Sequence, residues 1–331
     1  MGTRFDVVAV GNAIIDILHP VPDEFLVENG VAKGAMTLID EARADMLTEK
    51  FAGAVVAAGG SAANTVTGIA SFGGRAGYIG KVADDQLGRD FTTAFRAAGV
   101  AFETPPRPAP PGTARSLIAV TPDGQRSMNT YLGASTLLTS ADIDPDFVQS
   151  GAVLFLEGYL FDRDEAKAAF VRAAEHAAAA DRQVALTLSD VFCVERHRAS
   201  FRHLVAGHID ILFANEHEIL NLFETDDLDQ AIEAARGVCP IVAVTRSEKG
   251  SRIAAHGEII DVAPFPVAKV VDSTGAGDLY AAGFLYGLAR GRSMAACGAL
   301  GSLAAAEVIA HLGPRPETSL KALAEQAGLG A

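Results

Sequence analysis

Asp278 sits directly behind three small residues, Gly275-Ala276-Gly277, and directly ahead of an apolar run through Leu279, Ala282, Phe284, Leu285 and Leu288. Asp272, Ser273 and Thr274 are cap-type residues, so a helix is expected to begin here, with glycines that let the chain turn tightly and leave its N–H groups bare. Such a helix start is an anion site, because the unpaired amides and the helix dipole both favour negative charge. A carboxylate in the same turn would repel a bound phosphate, which suits a catalytic base beside the anion. It also suits a capping acid on a core helix, and this stretch alone leaves both readings open.

Two other places carry polar groups where the surroundings are apolar or small. Asp16 interrupts Ala13-Ile14-Ile15-Asp16-Ile17-Leu18, and a carboxylate buried without a partner in such a run costs several kcal/mol. It either caps a turn or receives hydroxyl groups from a ligand. Gly59-Gly60-Ser61-Ala62-Ala63-Asn64 opens a second helix, through Gly68, Ile69 and Phe72, whose first turns are built of small residues. Either a strand packs tightly there, or a ligand approaches the backbone with Asn64 binding it.

The elements that must position these residues read as α/β alternation. Strands are expected at Phe5–Val10, Arg75–Ile79, Val153–Leu156, Val184–Leu188, Ile209–Ala214 and Ile241–Thr245, with helices at Glu165–Ala180, Ser200–Ala206, Glu216–Phe223 and, last, Met294–His311. That order predicts a mostly parallel sheet. Ile14–Ile17, Met36–Ile39 and a hairpin of Thr113–Val120 and Ser127–Leu132 around Pro122-Asp123-Gly124 could form a small separate sheet. The chain is accordingly expected to be one domain over 1–331, with a lid from segments near 12–20, 32–40 and 112–133.

Composition narrows the function classes. A formal net charge of −14 with no long Lys/Arg run argues against a nucleic-acid or anionic-membrane partner. Cys193, Cys239 and Cys297 are far apart, so neither a disulfide framework nor a zinc site is indicated and a cytoplasmic setting is expected. The first strand does not lead into G-x-G-x-x-G, and neither G-x-x-x-x-G-K-[ST] nor the H-R-D and D-F-G pair occurs. Dinucleotide, P-loop and protein-kinase chemistries are thereby disfavoured.

Three motifs carry a resemblance. Gly59 to Asn64, Asn215-Glu216-His217-Glu218 and Asp272-Ser273-Thr274-Gly275-Ala276-Gly277-Asp278 resemble, in that order, the N-terminal glycine signature, the N-x-x-E motif and the D-T-x-G-A-G-D signature of the ribokinase-like (PfkB) carbohydrate and nucleoside kinases. The resemblance runs from Phe5 to about Pro316. Within the family, the Gly11-Asn12-x-x-x-Asp16 start, Asp23-x-Phe25-Leu26, the run from Ile209 to Glu216 and the Leu188-Ser189 strand end look most like the adenosine kinases.

The resemblance implies a three-layer α/β/α domain with a mostly parallel central sheet and a small β-sheet lid. It implies phosphoryl transfer from ATP, with Mg²⁺ and K⁺ as an open addition, to the 5′-hydroxyl of adenosine to give AMP. The alternatives are a PfkB sugar kinase of ribokinase or fructokinase type, and a non-catalytic nucleoside or sugar sensor on the same fold, against which the intact Asp278, Asn215 and Glu218 speak. Asp278 would be the base, Gly275, Ala276 and Gly277 the anion hole, and Arg126 the arginine that closes over the phosphates. Asn12, Asp16, Gly60 and Asn64 match the positions that receive ribose hydroxyls, and Ile14, Leu132, Tyr159, Leu160 and Phe192 could supply the apolar and stacking surface for a purine. Asn215, Thr245, Gly250, Thr274, Gly275 and Gly277 fall on the nucleotide side. Asn215 and Glu218 are spaced to share a helix face and hold Mg²⁺ through water, although N-x-x-E by itself reads as a cap followed by a surface acid. Ser247 stands where the family usually has glycine, and Thr274 where adenosine kinases often carry Asn. The partners implied are a nucleoside or sugar and ATP, with no nucleic acid or membrane, on a monomer or homodimer.

Overall fold

Val7 and Ala9 of the first strand, β1 (Phe5–Val10), pack into one apolar cluster while Val8 and Val10 pack into another on the opposite side. A strand apolar on both faces needs cover on both, which is the condition for a parallel sheet between helix layers. The computed structural model, which describes residues 3–330, meets that condition. Residues 1, 2 and 331 of the expected 1–331 domain lie outside the described residues.

The central sheet has nine strands, with spatial order β14-β13-β12-β11-β10-β9-β1-β5-β6. Its parallel members are β1, β5 (Ala76–Ile79), β6 (Val100–Phe102), β9 (Gly151–Glu157), β10 (Gln183–Thr187), β11 (Ile211–Asn215) and β12 (Ile241–Thr245). At one edge β13 (Ser251–Ala255) and β14 (Glu258–Val262) run antiparallel. One face is covered by α3 (Ser61–Ser71), α4 (Gln86–Ala97), α10 (Ala276–Leu288), α11 (Met294–Val308) and α12 (Leu320–Gln326), the other by α5 (Pro145–Gln149), α6 (Asp164–Ala178), α7 (Val191–His208), α8 (Glu216–Phe223) and α9 (Leu228–Arg236).

A second sheet has five strands in the order β3-β8-β7-β2-β4. It consists of β2 (Ile14–Pro20), β3 (Met36–Leu38), β4 (Val55–Gly59), β7 (Ala114–Val120) and β8 (Arg126–Tyr131), backed by α1 (Asp23–Glu28) and α2 (Glu41–Lys50). Alternation sorts its residues as it does in any half-buried sheet. Ile15, Ile17, Leu117 and Ala119 join the core with Leu26, Leu47 and Phe51. On the opposite face Asp16 pairs with Ser116, Ser116 with Thr130 and Thr130 with Leu38, making one transverse row.

Five elements depart from the sequence expectation. β4 starts at Val55-Val56 and runs into the Ala/Gly stretch that reads as a bare junction, pairing antiparallel with β2. β6 is only three residues long, whereas α9 does carry a helical spacing, with Leu228, Ala231, Ile232 and Ala235 on its core side, that the expectation leaves out. The last helix is α12 rather than the one starting at Met294, and α7 runs over 18 residues, with non-helical φ/ψ at His197, where only Ser200–Ala206 is expected. Among the described residues no helix is long and apolar enough to cross a membrane.

Candidate active site

The C-terminal ends of parallel strands point their final residues at one place, the position where open α/β sheets take ligands. Asn12 just past β1, Glu157 of β9, Thr187 of β10, Asn215 of β11 and Thr245 of β12 all line a cavity of about 800 Å³. Its other wall is the face of the small sheet turned away from the core, where Asp16, Ser116 and Thr130 stand among Ile14, Met36, Leu38 and Met128. The helix starts at Gly60 and Gly275 close the third side.

Asp278 stands in the first turn of α10 with both oxygens occupied. Ser61 Oγ donates to Oδ1 at 2.6 Å and Asn64 Nδ2 to Oδ2 at 2.9 Å, while Thr65 Oγ1 donates to the Asp278 carbonyl at 3.1 Å. The first turns of α3 and α10 are thus tied together, and a Cβ at Gly68 would stand 2.7 Å from Ala282 and Leu279 side-chain atoms, so the small residues of α3 do serve helix packing. Burial pushes the Asp278 carboxyl up to about 6 against the lowering effect of the Ser61 and Asn64 bonds. A base in that range is ionised near neutrality yet still basic enough to take a proton. Gly275 adopts φ 80°, and a Cβ there would lie 2.8 Å from Pro314.

Asn12 and Asn64 share a feature that points to hydroxyl groups. Each gives its amide N–H to a buried carboxylate, Asn12 Nδ2 to Glu157 at 2.9 Å and Asn64 Nδ2 to Asp278 at 2.9 Å. Each leaves its carbonyl oxygen buried with no partner among the described residues. Two idle buried acceptors at one cavity are costly unless a ligand supplies donors. Asp16 adds a third acceptor group. Its carboxyl is pushed up to about 6, chiefly by burial, with Arg315 and Arg126 opposing. Gly59 makes room for it, since a Cβ there would meet Asp16 Oδ2 at 2.2 Å. Gly60, at φ 105°, lies so close to Asn12 that a Cβ would meet its carbonyl oxygen at 2.2 Å.

Ile14, Leu132, Tyr159 and Phe192 line the same cavity. Phe192, in the first turn of α7, is 70% exposed, and Tyr159 donates its hydroxyl to the Ser189 carbonyl at 3.3 Å. Leu160 belongs elsewhere: it is buried in the core. Thr245, Thr274, Ala276 and Gly277 line the cavity, whereas Gly250 is set back from the lining, its φ of 81° and its close approach to the Val262 carbonyl serving the turn into β13. Ser247 takes φ 50°, a left-handed conformation that favours glycine. Arg126 is likewise off the cavity lining, buried against Asp272 and Thr274.

Asn215 and Glu218 differ from the expected shared helix face. Asn215 caps α8, and Glu218 accepts from its N at 2.8 Å and its Nδ2 at 2.7 Å while Asn215 Oδ1 accepts from Glu218 N at 2.9 Å. The three-residue spacing closes a capping box. Glu218 is buried, not a surface acid, and desolvation pushes it up to about 7. Both residues line the cavity. No group of three or more His, Cys, Asp or Glu residues that could hold an ion occurs among the described residues. Mg²⁺ keeps its waters and takes one or two carboxylates plus substrate phosphates, and the Glu218 carboxylate at the cavity wall is a group of that kind.

Glu157 is absent from the sequence expectation. It is 1% exposed and accepts from the Asn12 amide, Asn12 Nδ2 and the Ala62 amide, and burial pushes it up to about 7. Its signal was the one that exposed Asp16, a lone acid closing an apolar strand. Ser61 and the Ser116–Thr130 hydroxyl pair, 2.9 Å apart, are also new members of the wall.

Residues 31–320 match a family model described as pfkB family carbohydrate kinase. The crystal structure of adenosine kinase from Sinorhizobium meliloti is 52% identical with a TM-score of 0.91, covering 98% of this chain and 99% of that one. The probable sugar kinase protein from Rhizobium etli CFN 42 is 50% identical with a TM-score of 0.92, covering 99% of both chains. Adenosine kinase of Saccharomyces cerevisiae is 26% identical over 337 residues, which is 93% of this chain and 95% of the yeast protein.

Proposed function

We propose, from the premise that this chain belongs to the pfkB family of carbohydrate kinases and phosphorylates an alcohol group of a nucleoside or sugar, that its acceptor is adenosine and its product AMP. The observation that carries this reading is that one cavity is lined both by unpartnered polar acceptors and by apolar and aromatic side chains. Idle Asn12 and Asn64 oxygens and the Asp16 carboxylate suit ribose hydroxyls, and the apolar and aromatic groups of Ile14, Leu132, Tyr159 and Phe192 suit a flat base. Likeness to the Sinorhizobium adenosine kinase supports it.

In the proposed reaction Asp278 takes the proton of the 5′-hydroxyl as that oxygen bonds to the γ-phosphorus of ATP and the bond to the β-phosphate oxygen breaks, leaving ADP. Ser61 and Asn64 hold the carboxylate in place for this transfer. The amides of Gly275, Ala276 and Gly277, at a helix N-terminus, stabilise the charge on the moving group as it develops. Bound Mg²⁺ would neutralise phosphate oxygens, with Glu218 and Asn215 as the chain's groups placed to meet its waters. The small sheet, with Asp16 and Arg126 on it, is proposed to act as a lid.

A second reading, a sugar acceptor, is favoured by the 50% identity to the Rhizobium etli probable sugar kinase. Parallel kcat/KM measurements on adenosine, inosine, ribose and fructose with ATP and Mg²⁺ separate the two. Burying a purine face contributes on the order of 2 kcal/mol, so adenosine should exceed ribose by more than about tenfold. A sugar preferred over adenosine overturns the nucleoside reading and leaves the kinase standing.

A further inference from the structure

Arg126 and Asp272 come from different parts of the fold: the arginine opens β8 of the small sheet, and the aspartate lies in the segment that leads into α10. Arg126 Nη1 stands 2.6 Å from Asp272 Oδ2 and donates to Thr274 Oγ1 at 2.9 Å, with the two charged side chains 8% and 6% exposed. We infer that Asp272 is a positioning residue that holds Arg126 beside the start of α10 and so docks the small sheet on the body of the protein. The inference rests on the proposed role of Arg126 toward the transferring phosphate.

The two partners are unequal. Asp272 is fixed from the body: the Thr274 amide and hydroxyl donate to Oδ1 at 3.0 and 2.7 Å, and the Gly313 amide donates to Oδ2 at 3.0 Å. Burial alone would raise this carboxyl, but the Gly313 amide, the Thr274 groups and Arg126 together hold it below its ordinary value, so it meets the guanidinium as an anion. Arg126 uses a single nitrogen. Its Nε and Nη2 are buried with no partner among the described residues.

A buried ion pair whose cation has idle N–H groups is stabilised incompletely, and removing its one anion leaves an uncompensated buried charge. The idle donors are suited to oxygens of a phosphoryl group, which a planar guanidinium binds through two N–H groups. Thr274, to which Arg126 also donates, is the residue immediately before Gly275-Ala276-Gly277-Asp278. Asp272 therefore sets a positive charge one residue from the proposed anion hole. Asp16, which lines the cavity, lies within electrostatic reach of the same arginine.

The test is a double-mutant cycle on the full chain with Asp272→Asn, Arg126→Gln and the double variant, read in kcat with the acceptor KM recorded alongside. Asp272→Asn should lower kcat about tenfold in the wild-type background and less than about twofold once Arg126 is already Gln, with acceptor KM little changed. An equal loss in both backgrounds, or none in either, overturns the inference. Should Asp272→Asn fail to fold, hydrogen exchange of the ligand-free protein decides. Arg126→Gln must speed exchange of the Thr274 amide and of residues 126–131, and Arg126→Lys must restore much of the protection. Unchanged exchange in Arg126→Gln overturns the inference. If Asp278→Asn keeps full turnover the catalytic reading falls, while the exchange result still decides the docking role.

Discussion

Ser61→Ala removes the 2.6 Å hydroxyl bond to Asp278 Oδ1 and leaves the 2.9 Å Asn64 bond in place. The hydroxyl favours the ionised carboxylate, so its loss raises a pKa that burial has already pushed up to about 6. A hydrogen bond to a charged group contributes about 1.5–3 kcal/mol, and about 1.4 kcal/mol is one pKa unit, so the lower end of that range moves the base to about 7. A base works only when ionised, so activity is present above its pKa and lost as pH falls through it. The ionised fraction would drop from about 0.9 to about 0.5 at pH 7 and from about 0.5 to about 0.1 at pH 6. The variant should therefore show a kcat/KM deficit of about twofold at pH 7, about fivefold at pH 6 and almost none at pH 8. Glu157, Glu218 and Asp16 titrate in the same region, at about 7, 7 and 6, so the assay is the ratio of the two profiles, measured with saturating Mg·ATP and limiting acceptor. A deficit of the same size at every pH would refute the assignment of Asp278 as the base that Ser61 tunes.

Glu218→Gln should raise the Mg²⁺ concentration needed for half-maximal rate and lower kcat while leaving acceptor KM unchanged, and an unchanged Mg²⁺ titration would leave Glu218 a capping residue only. Gly60→Ala places a Cβ 2.2 Å from the Asn12 carbonyl oxygen at φ 105°; it should cost about 1–3 kcal/mol in urea unfolding and raise acceptor KM, and a wild-type midpoint with wild-type KM would contradict the close approach. Acceptor binding should slow hydrogen exchange over residues 113–132 if the small sheet closes, and equal exchange with and without acceptor counts against a lid.

What could be read from the sequence was whatever depends on one stretch of chain. The Gly275-Ala276-Gly277-Asp278 helix start, the alternation of strands and helices, and Asp16 as an acid in the wrong place are all local statements. Partnerships made across the fold were not legible. Ser61 reaches Asp278 over 217 residues, and Glu157 joins Asn12 over 145 residues, so no periodicity announces either. Asn215 and Glu218 show the opposite limit: their spacing was plain, but it serves equally a helix face and a capping box, and the N-cap conformation of Asn215 chose the second. β4 is not legible because its two strand-favouring residues, Val55 and Val56, run straight into Ala57, Ala58 and Gly59, which carry little strand preference, and pairing with β2 supplies what those three lack.

The central claim is that Asp278 takes the acceptor's proton, and Asp278→Asn tests it most directly. The amide keeps the size of the side chain and one acceptor oxygen, so the α3–α10 contact should survive and acceptor binding should stay within a few fold. Turnover should fall by at least about 10²-fold, because a base acts in the transition state. A variant that binds acceptor normally and turns over at the wild-type rate would reduce Asp278 to a cap on α10 and contradict the mechanism.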